Sequence, residues 1–270
     1  MRLFALVFAF LALLIAPSPA GAQDTAEARQ QAQRLGETFA RGFYARDPAM
    51  ALSVVHPALS KLGVWPNIRN SGRDGLLSLP PGTLDIFAVS HNADGHVDPA
   101  TAVTQVEVLD ATEDVSVFRL IAARDWFDYH LAARIGERWL IVNCVFGGLP
   151  DLEAPVSDAD RAAVSAAVSA YADAVSADDY GQLANAVHLD FTRRSVRTRN
   201  PERLIVETRE TLAQDMRGRA RRGETNVSVL AVSRVAAAAR VDGQGRREWV
   251  FLLKLDGRWR PVNSFVDRDR

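Results

Sequence analysis

The sequence predicts an α+β fold in two tandem copies, and three observations carry that prediction. GERWLIVN at 136–143 returns as DGRWRPVN at 256–263, which sets Trp139 over Trp259 and Asn143 over Asn263. Two earlier segments repeat in the same order. FARGFYARDPAMALSVVHPALSKLGV (39–64) lies over YADAVSADDYGQLANAVHLDFTRRSV (171–196), and TQVEVL (104–109) lies over TNVSVL (225–230). Within each copy the helical patterns come first and the strand patterns last, which is the order of helices packed on an antiparallel sheet. Two copies make a tandem and not a solenoid, which needs more and shorter units.

The chain opens MRLFALVFAFLALLIAPSPAGAQ: one positive charge at Arg2, an apolar run over Leu3–Ala16, prolines at 17 and 19, then Ala20-Gly21-Ala22. That pattern is a secretory leader, too short and wrongly flanked for a membrane anchor. Cleavage is expected after Ala22, with a mature protein in the periplasm or outside the cell and no membrane association once the leader is gone. The expected plan is a leader at 1–22, a first domain at 23–150, a linker at 151–157 (DLEAPVS) and a second domain at 158–270. The one cysteine, Cys144, has no partner for an internal disulfide and reads as a small core residue.

Each copy is expected to start with a long helix, near 26–45 and 158–177. A short helix ending near His56 or His188 follows, then a strand and a third helix. In the second copy Asn200 and Pro201 look like the N-cap and first position of that third helix; in the first copy Pro80, Pro81 and Gly82 blur it. Four strands close each copy, with tight turns at Gly136-Glu137 and Asp256-Gly257.

Charge is uneven. Residues 23–157 carry 11 basic against 17 acidic side chains, a net of −6, and residues 158–270 carry 20 against 16, a net of +4. The densest basic run, RGRARR at 217–222, has no interleaved aromatics and reads as a solvated helix end and loop, so no nucleic-acid partner is expected. No phosphate-cradling glycine loop, nucleophile elbow or HExxH appears. His91 and His96, five residues apart in the polar loop VSHNADGHVDP with Asp94 and Asp98, are the one close metal-ligand pair, suited at most to weak binding; the preferred reading is a solvated turn and a rim over a pocket, so no metal and no cofactor are expected.

VVHPALSKLGV, DWFDYHLAAR and ERWLIVNCVF resemble the nuclear transport factor 2-like superfamily and, within it, the lumazine-binding subgroup. That subgroup has a His-Pro near the end of its second helix, a D-W-x-D-Y strand and a W-x-I-V-N strand. Here these are His56-Pro57, Asp125-Trp126-Phe127-Asp128-Tyr129 and Trp139-Leu140-Ile141-Val142-Asn143. The resemblance covers 27–147. The second half follows only in outline: His188 lacks the proline, Glu248-Trp249 stands where the first half has Asp128-Tyr129, and Asn263 is kept. After Tyr129 the chain reads HLAAR, where the subgroup has an extra apolar residue before its histidine. The resemblance implies a cystatin-like cone, a curved sheet wrapped round helices with a pocket inside. It implies no particular reaction.

Strand alternation sorts the side chains. With a two-residue loop at 136–137, cross-strand partners share a face. One face then carries Trp126, Asp128 and His130 with Trp139, Ile141 and Asn143; the other carries Phe127, Tyr129 and Leu131 with Leu140, Val142 and Cys144. In the second copy Glu248, Val250 and Leu252 share a face with Trp259 and Asn263. The apolar faces of the two copies are expected to meet as an intramolecular pseudo-dimer, turning the mixed faces inward to form two pockets. The reverse assignment, with Asp128 and His130 outside, stays open.

The candidate catalytic pair is Asp128 and His130, a desolvated carboxylate beside an imidazole. The candidate ligand-binding residues are His56, Trp126, Trp139, Asn143, His188, Glu248, Trp259 and Asn263. Against this, the recurrence of His56 and His188 favours a role in the fold, such as bonding a helix end, and the paired asparagines suit backbone satisfaction. The leading function is binding of a small apolar or aromatic molecule. An isomerase, dehydratase or hydrolase using Asp128 and His130, and a structural protein-interaction module, are the alternatives.

Overall fold

A computed structural model describes residues 20–197, 200–216, 223–243 and 246–268. Residues 1–19 of the expected leader and the basic run 217–222 lie outside the described residues. No helix among the described residues is long and apolar enough to cross a membrane.

The first copy begins with helix α1 (Ala20–Tyr44). Ala28, Ala32, Leu35, Phe39 and Phe43 recur at three- and four-residue steps, so one stripe of the helix is buried. The short helix α2 (Pro48–Leu52) follows, with Asp47 as N-cap accepting the Met50 N–H at 2.9 Å. Then come β1 (Val55–Trp65), β2 (Gly75–Ser78), α3 (Pro81–Ser90), β3 (Thr104–Ala111), β4 (Val115–Ala122), β5 (Trp126–Ile135) and β6 (Arg138–Gly148). Helix α4 (Leu149–Glu153) leads into the second copy: α5 (Asp158–Ala177), α6 (Tyr180–Ala186), β7 (Thr192–Arg197), β8 (Asn200–Thr208), α7 (Arg209–Met216), β9 (Asn226–Val232), β10 (Ala236–Gly243), β11 (Arg246–Leu255) and β12 (Arg258–Arg268). Asp179 caps α6 as Asp47 caps α2, through the Gln182 N–H at 2.9 Å. The aspartates aligned by the repeat are therefore the two N-caps.

Both copies form six-stranded sheets of the same order, β2-β1-β6-β5-β4-β3 and β8-β7-β12-β11-β10-β9. The α+β class with two tandem sheet domains is thus observed. Each sheet contains one parallel pair, β1 with β6 and β7 with β12, where an antiparallel sheet was expected. Asn200 and Pro201 do not start a helix; they lie at the start of β8, and α7 begins only at Arg209. The run Leu204-Ile205-Val206 behind them, rich in β-branched residues, favours a strand.

The turns at 136–137 and 256–257 have two residues, with Ile135 opposite Arg138 and Leu255 opposite Arg258. Asp256 and Gly257 both take positive φ, 49° and 75°, as a type I′ turn requires. Further along, the register slips by one residue. Ala132 faces Ile141, but Leu131 faces Asn143, leaving Val142 as a bulge. The second copy slips at the equivalent Val262, between Leu252–Pro261 and Phe251–Asn263.

Three cores result. One lies inside each cone, between helices and concave sheet. The third lies between the sheets, where Phe127, Tyr129, Leu131 and Val145 pack with Trp249, Phe251, Leu253 and Phe265. The apolar faces of the two copies therefore meet each other. Hydrogen bonds cross the same boundary: Trp249 Nε1 donates to Asp110 Oδ2 at 2.7 Å, and Arg194 donates to the Ala58 carbonyl at 2.9 and 3.1 Å.

Candidate functional site

Asp128 and His130 point into the first cone, and both are fully buried. The bulge at Val142 corrects the rest of the sorting. It turns Asn143 out of the cone and Cys144 into it. Asn143 Nδ2 donates to the Ser264 carbonyl at 3.1 Å, and Asn263 Nδ2 approaches Ser60 Oγ at 3.5 Å. Both asparagines thus belong to the junction of the two sheets and line neither pocket.

Register builds a row across the concave face. Lys61 on β1 lies beside Cys144 on β6, Cys144 beside His130 on β5, and His130 beside Phe118 on β4. Asp128 is one step along the same face of β5. Lys61 Nζ lies 2.6 Å from both Asp128 oxygens and 3.5 Å from Cys144 Sγ. Three aromatic rings, Phe39, Trp126 and Phe146, surround the ammonium at 5.4, 5.2 and 4.6 Å. His130 Nε2 lies 2.7 Å from Asp128 Oδ2, with its ring stacked on Phe118 and edge-on to Phe39.

Burial alone would raise the Asp128 pKa, but the Lys61 ammonium and then His130 outweigh it and hold the carboxyl below its usual range. Burial opposes the charge on Lys61 too, and Asp128 overcomes it. For His130 burial wins over Asp128 and lowers the pKa. The cluster is therefore an ion pair with a neutral imidazole. An ionised carboxylate only accepts, so Nε2 carries the imidazole proton and Nδ1 is a bare lone pair with no partner among the described residues. Burial pushes the Cys144 thiol well up, so it stays protonated. Asp128, His130 and Cys144 have the composition of a metal site, but the Lys61 ammonium holds the place a cation would take.

Lys61 is the member of this cluster that reaches a cavity. A pocket of about 310 Å³ is lined by Phe43, Lys61, Leu79, Leu84, Phe87 and Trp126, with Phe146, Gly147 and Gly148 beyond and His91 and Asp125 at its mouth. Neither Asp128 nor His130 lines it. Trp126 lines this pocket. Trp139 is buried in the first core.

His56 and His188 are half-buried outside both cones and share one job. His56 Nδ1 accepts the Ala58 N–H at 3.0 Å, and His188 Nδ1 accepts the Asp190 N–H at 3.1 Å. His188 fixes the turn that leads into β7, and His56 fixes the irregular stretch of β1 between Val55 and Ser60; neither bonds a helix end. Trp259 packs in the core of the second cone, with Nε1 donating to Asp160 at 3.3 Å. His188 also borders an open crevice between the copies, with Arg73, Arg258 and Arg260.

The second cone repeats the row with different chemistry. Arg193, Ser264, Val250 and Ala239 stand where Lys61, Cys144, His130 and Phe118 stand in the first. Tyr171 replaces Phe39 and donates to Glu248 at 2.5 Å; Ser264 Oγ donates to the same oxygen at 2.6 Å. Arg193 pairs instead with Glu207 at 2.9 and 3.1 Å. Glu248 is thus held by its own side-chain neighbours.

Lys61 escaped the sequence reading because its carboxylate is 67 residues away. One signal was available. The chain has only two lysines, 61 and 254, among 32 basic residues, and each is ion-paired to an aspartate, Asp128 and Asp160.

The neutral His130 gives a pH prediction. Its folded pKa lies below 6.5, so the unfolded chain binds more protons at acid pH, and stability falls as pH drops through about 6.5. His56, His91 and His188 are lowered by burial and act with the same sign. The melting temperature is expected to fall between pH 7 and pH 5, and His130→Phe to make that slope shallower. A slope unchanged in the variant would contradict a neutral His130.

The fold and the site define a class: paired α+β cones, fused in one chain, with an open pocket in the first. No family model matches this chain, and no curated protein matches it. Similar solved structures include an NTF2-like protein of unknown function from Shewanella baltica (18% identity, TM-score 0.38, covering 42% of this chain and 97% of that one). Another, from Silicibacter pomeroyi, is also NTF2-like and of unknown function (18%, TM-score 0.37, 42% and 99%). A third is a ketosteroid isomerase-like protein from Erwinia carotovora atroseptica (17%, TM-score 0.33, 42% and 99%). Each is matched almost end to end by less than half of this chain.

Proposed function

We propose that this chain is a tandem nuclear transport factor 2-like protein that binds a small molecule in its first cone. The bound molecule has an apolar or aromatic body and a hydrogen-bond acceptor at its inner end. The observation that carries this reading is the 310 Å³ cavity, walled by Leu79, Leu84, Phe87 and Trp126, with the Lys61 ammonium at its surface. Its size suits a small ligand, and its lining follows the usual pattern of apolar walls with a few placed polar groups. Lys61 has three N–H donors. Asp128 takes two of them and Cys144 the third at 3.5 Å, so a ligand carbonyl or carboxylate has only that weak thiol contact to displace.

Asp128 and His130 have no direct access to this cavity. Their part in the proposal is to hold Lys61 charged and in place. The second cone, where Tyr171 and Ser264 both hold the Oε1 oxygen of Glu248, has a structural role in an intramolecular pseudo-dimer. The lumazine-binding subgroup rests on the three sequence motifs alone. Secretion to the periplasm or beyond rests on the leader pattern.

Phe87 gives the sharpest test, because it is 40% exposed and contributes little to the core. Native mass spectrometry of protein recovered from its own host should show an added mass that is lost on denaturation. Phe87→Ala should weaken rebinding of that molecule on the order of tenfold, as expected for losing contact with part of an aromatic ring. A bare mass, together with no saturable binding of small aromatic carboxylates, would sink the proposal.

A further inference from the structure

The geometry points to a divalent-cation site at the mouth of the first pocket, with His91, His96 and Asp125 as its ligands. His91 follows the last turn of α3, His96 comes from the loop after it, and Asp125 comes from the turn between β4 and β5. His91 Nε2 lies 3.0 Å from Asp125 Oδ2, and His96 Nε2 lies 3.4 Å from the same oxygen. All three donor atoms fall within 4.8 Å of one another. Ligands at zinc distances of roughly 2.1 Å stand about 3.4 Å apart on a tetrahedron, so little movement is needed to close on an ion.

Proton accounting supplies the second, independent reason. The Trp126 indole N–H can only donate, and it meets His91 Nε2 at 3.2 Å. That nitrogen therefore presents its lone pair, and the same lone pair faces the Asp125 oxygen. Asp94 Oδ1 lies 2.7 Å from His96 Nδ1 and takes the proton there. A neutral His96 then also presents a bare Nε2 to Asp125. The Trp126 N–H reaches His91 Nε2 and the Tyr44 O–H makes a long 3.5 Å contact to Asp125 Oδ2, but with His96 neutral no proton lies between the two imidazole nitrogens and the carboxylate, and a cation would take that place. The Asp94–His96 contact is the carboxylate–histidine pairing that orients imidazole ligands on metals.

Two imidazoles and one carboxylate suit zinc and its first-row neighbours better than magnesium or calcium. His91 and Asp125 also line the cavity, so a coordination position left open by three protein ligands is reachable from the pocket. The site does not depend on the small-molecule reading. The sequence showed the His91–His96 pair but not its third ligand, which lies 29 residues beyond His96. The competing occupant is a second proton on His96, bridging Asp94 and Asp125; it leaves the mismatch at His91 unresolved.

Full-length mature protein, stripped with chelator, should bind one equivalent of Zn²⁺ in a calorimetric titration at pH 7.5. His91→Ala, His96→Ala and Asp125→Asn should each weaken that binding at least tenfold, and Asp94→Asn about 10- to 100-fold. Zinc should also displace the Trp126 N–H from His91 and change tryptophan emission. Trp126→Phe should keep the zinc and lose the optical response. Failure of the wild-type protein to take up one equivalent overturns the site. Binding that survives His96→Ala unchanged does the same, since His96 is on an exposed loop and its loss leaves the cores intact.

Discussion

Lys61→Met is expected to destabilise the protein by about 3–5 kcal/mol, the usual cost of removing one partner of a buried ion pair. The side chains of Lys61 and Asp128 are 6% and 0% exposed, so water cannot take over the role of the missing ammonium. Asp128 would keep only its bond to His130. Its pKa would rise with the compensating charge gone, and the penalty should shrink toward acid pH as the carboxyl protonates. Lys61→Met combined with Asp128→Asn should recover most of the loss, because the amide oxygen still accepts the His130 N–H and no charge is left buried. Urea denaturation of the single and double variants at pH 5 and pH 7.5 measures all of this. A single variant within about 1 kcal/mol of the wild type at neutral pH would show the pair to be solvated, and with it the floor of the proposed pocket.

Much of this site was legible in the sequence, and the missed part has a physical cause. The repeat located both cones, and alternation placed Trp126, Asp128 and His130 on one face of β5. The error began at Asn143. WLIVNCVF is apolar on both faces because β6 has a core on each side, one in the cone and one between the sheets. A one-residue bulge in such a strand exchanges faces without leaving a polar residue in the wrong place. The same holds for Val262 and Asn263. In a strand with one wet face, the slip would have been written in the pattern. The α7 error differs: Asn-Pro was read as a helix start, although the branched residues that follow it suit an edge strand. Lys61 and the His91–His96–Asp125 group are contacts between distant segments, which spacing along one element does not reveal.

Trp249→Ala is the second large effect, expected at about 3–5 kcal/mol for a buried tryptophan. Trp249 is 1% exposed and sits in the core shared by the two sheets. Its indole N–H donates across the boundary to Asp110 Oδ2, and Arg240 holds the same carboxylate from the second copy at 3.1 Å to each oxygen. Graded substitutions separate packing from hydrogen bonding. Trp249→Phe keeps most of the ring volume and loses the N–H, so it should cost less than half as much as alanine. Asp110→Asn should cost about 1–3 kcal/mol, since it keeps an acceptor but loses charge-assisted bonds. The consequence for the whole chain is cooperative. With one core built from both sheets, the wild-type protein should unfold in a single transition by near-ultraviolet and far-ultraviolet probes together. Trp249→Ala should lower that transition or split it in two, with the second copy melting first because it loses its largest anchor. Two separate transitions already in the wild type would mean that the sheets do not share a cooperative core. The second cone would then have to be stable without the first.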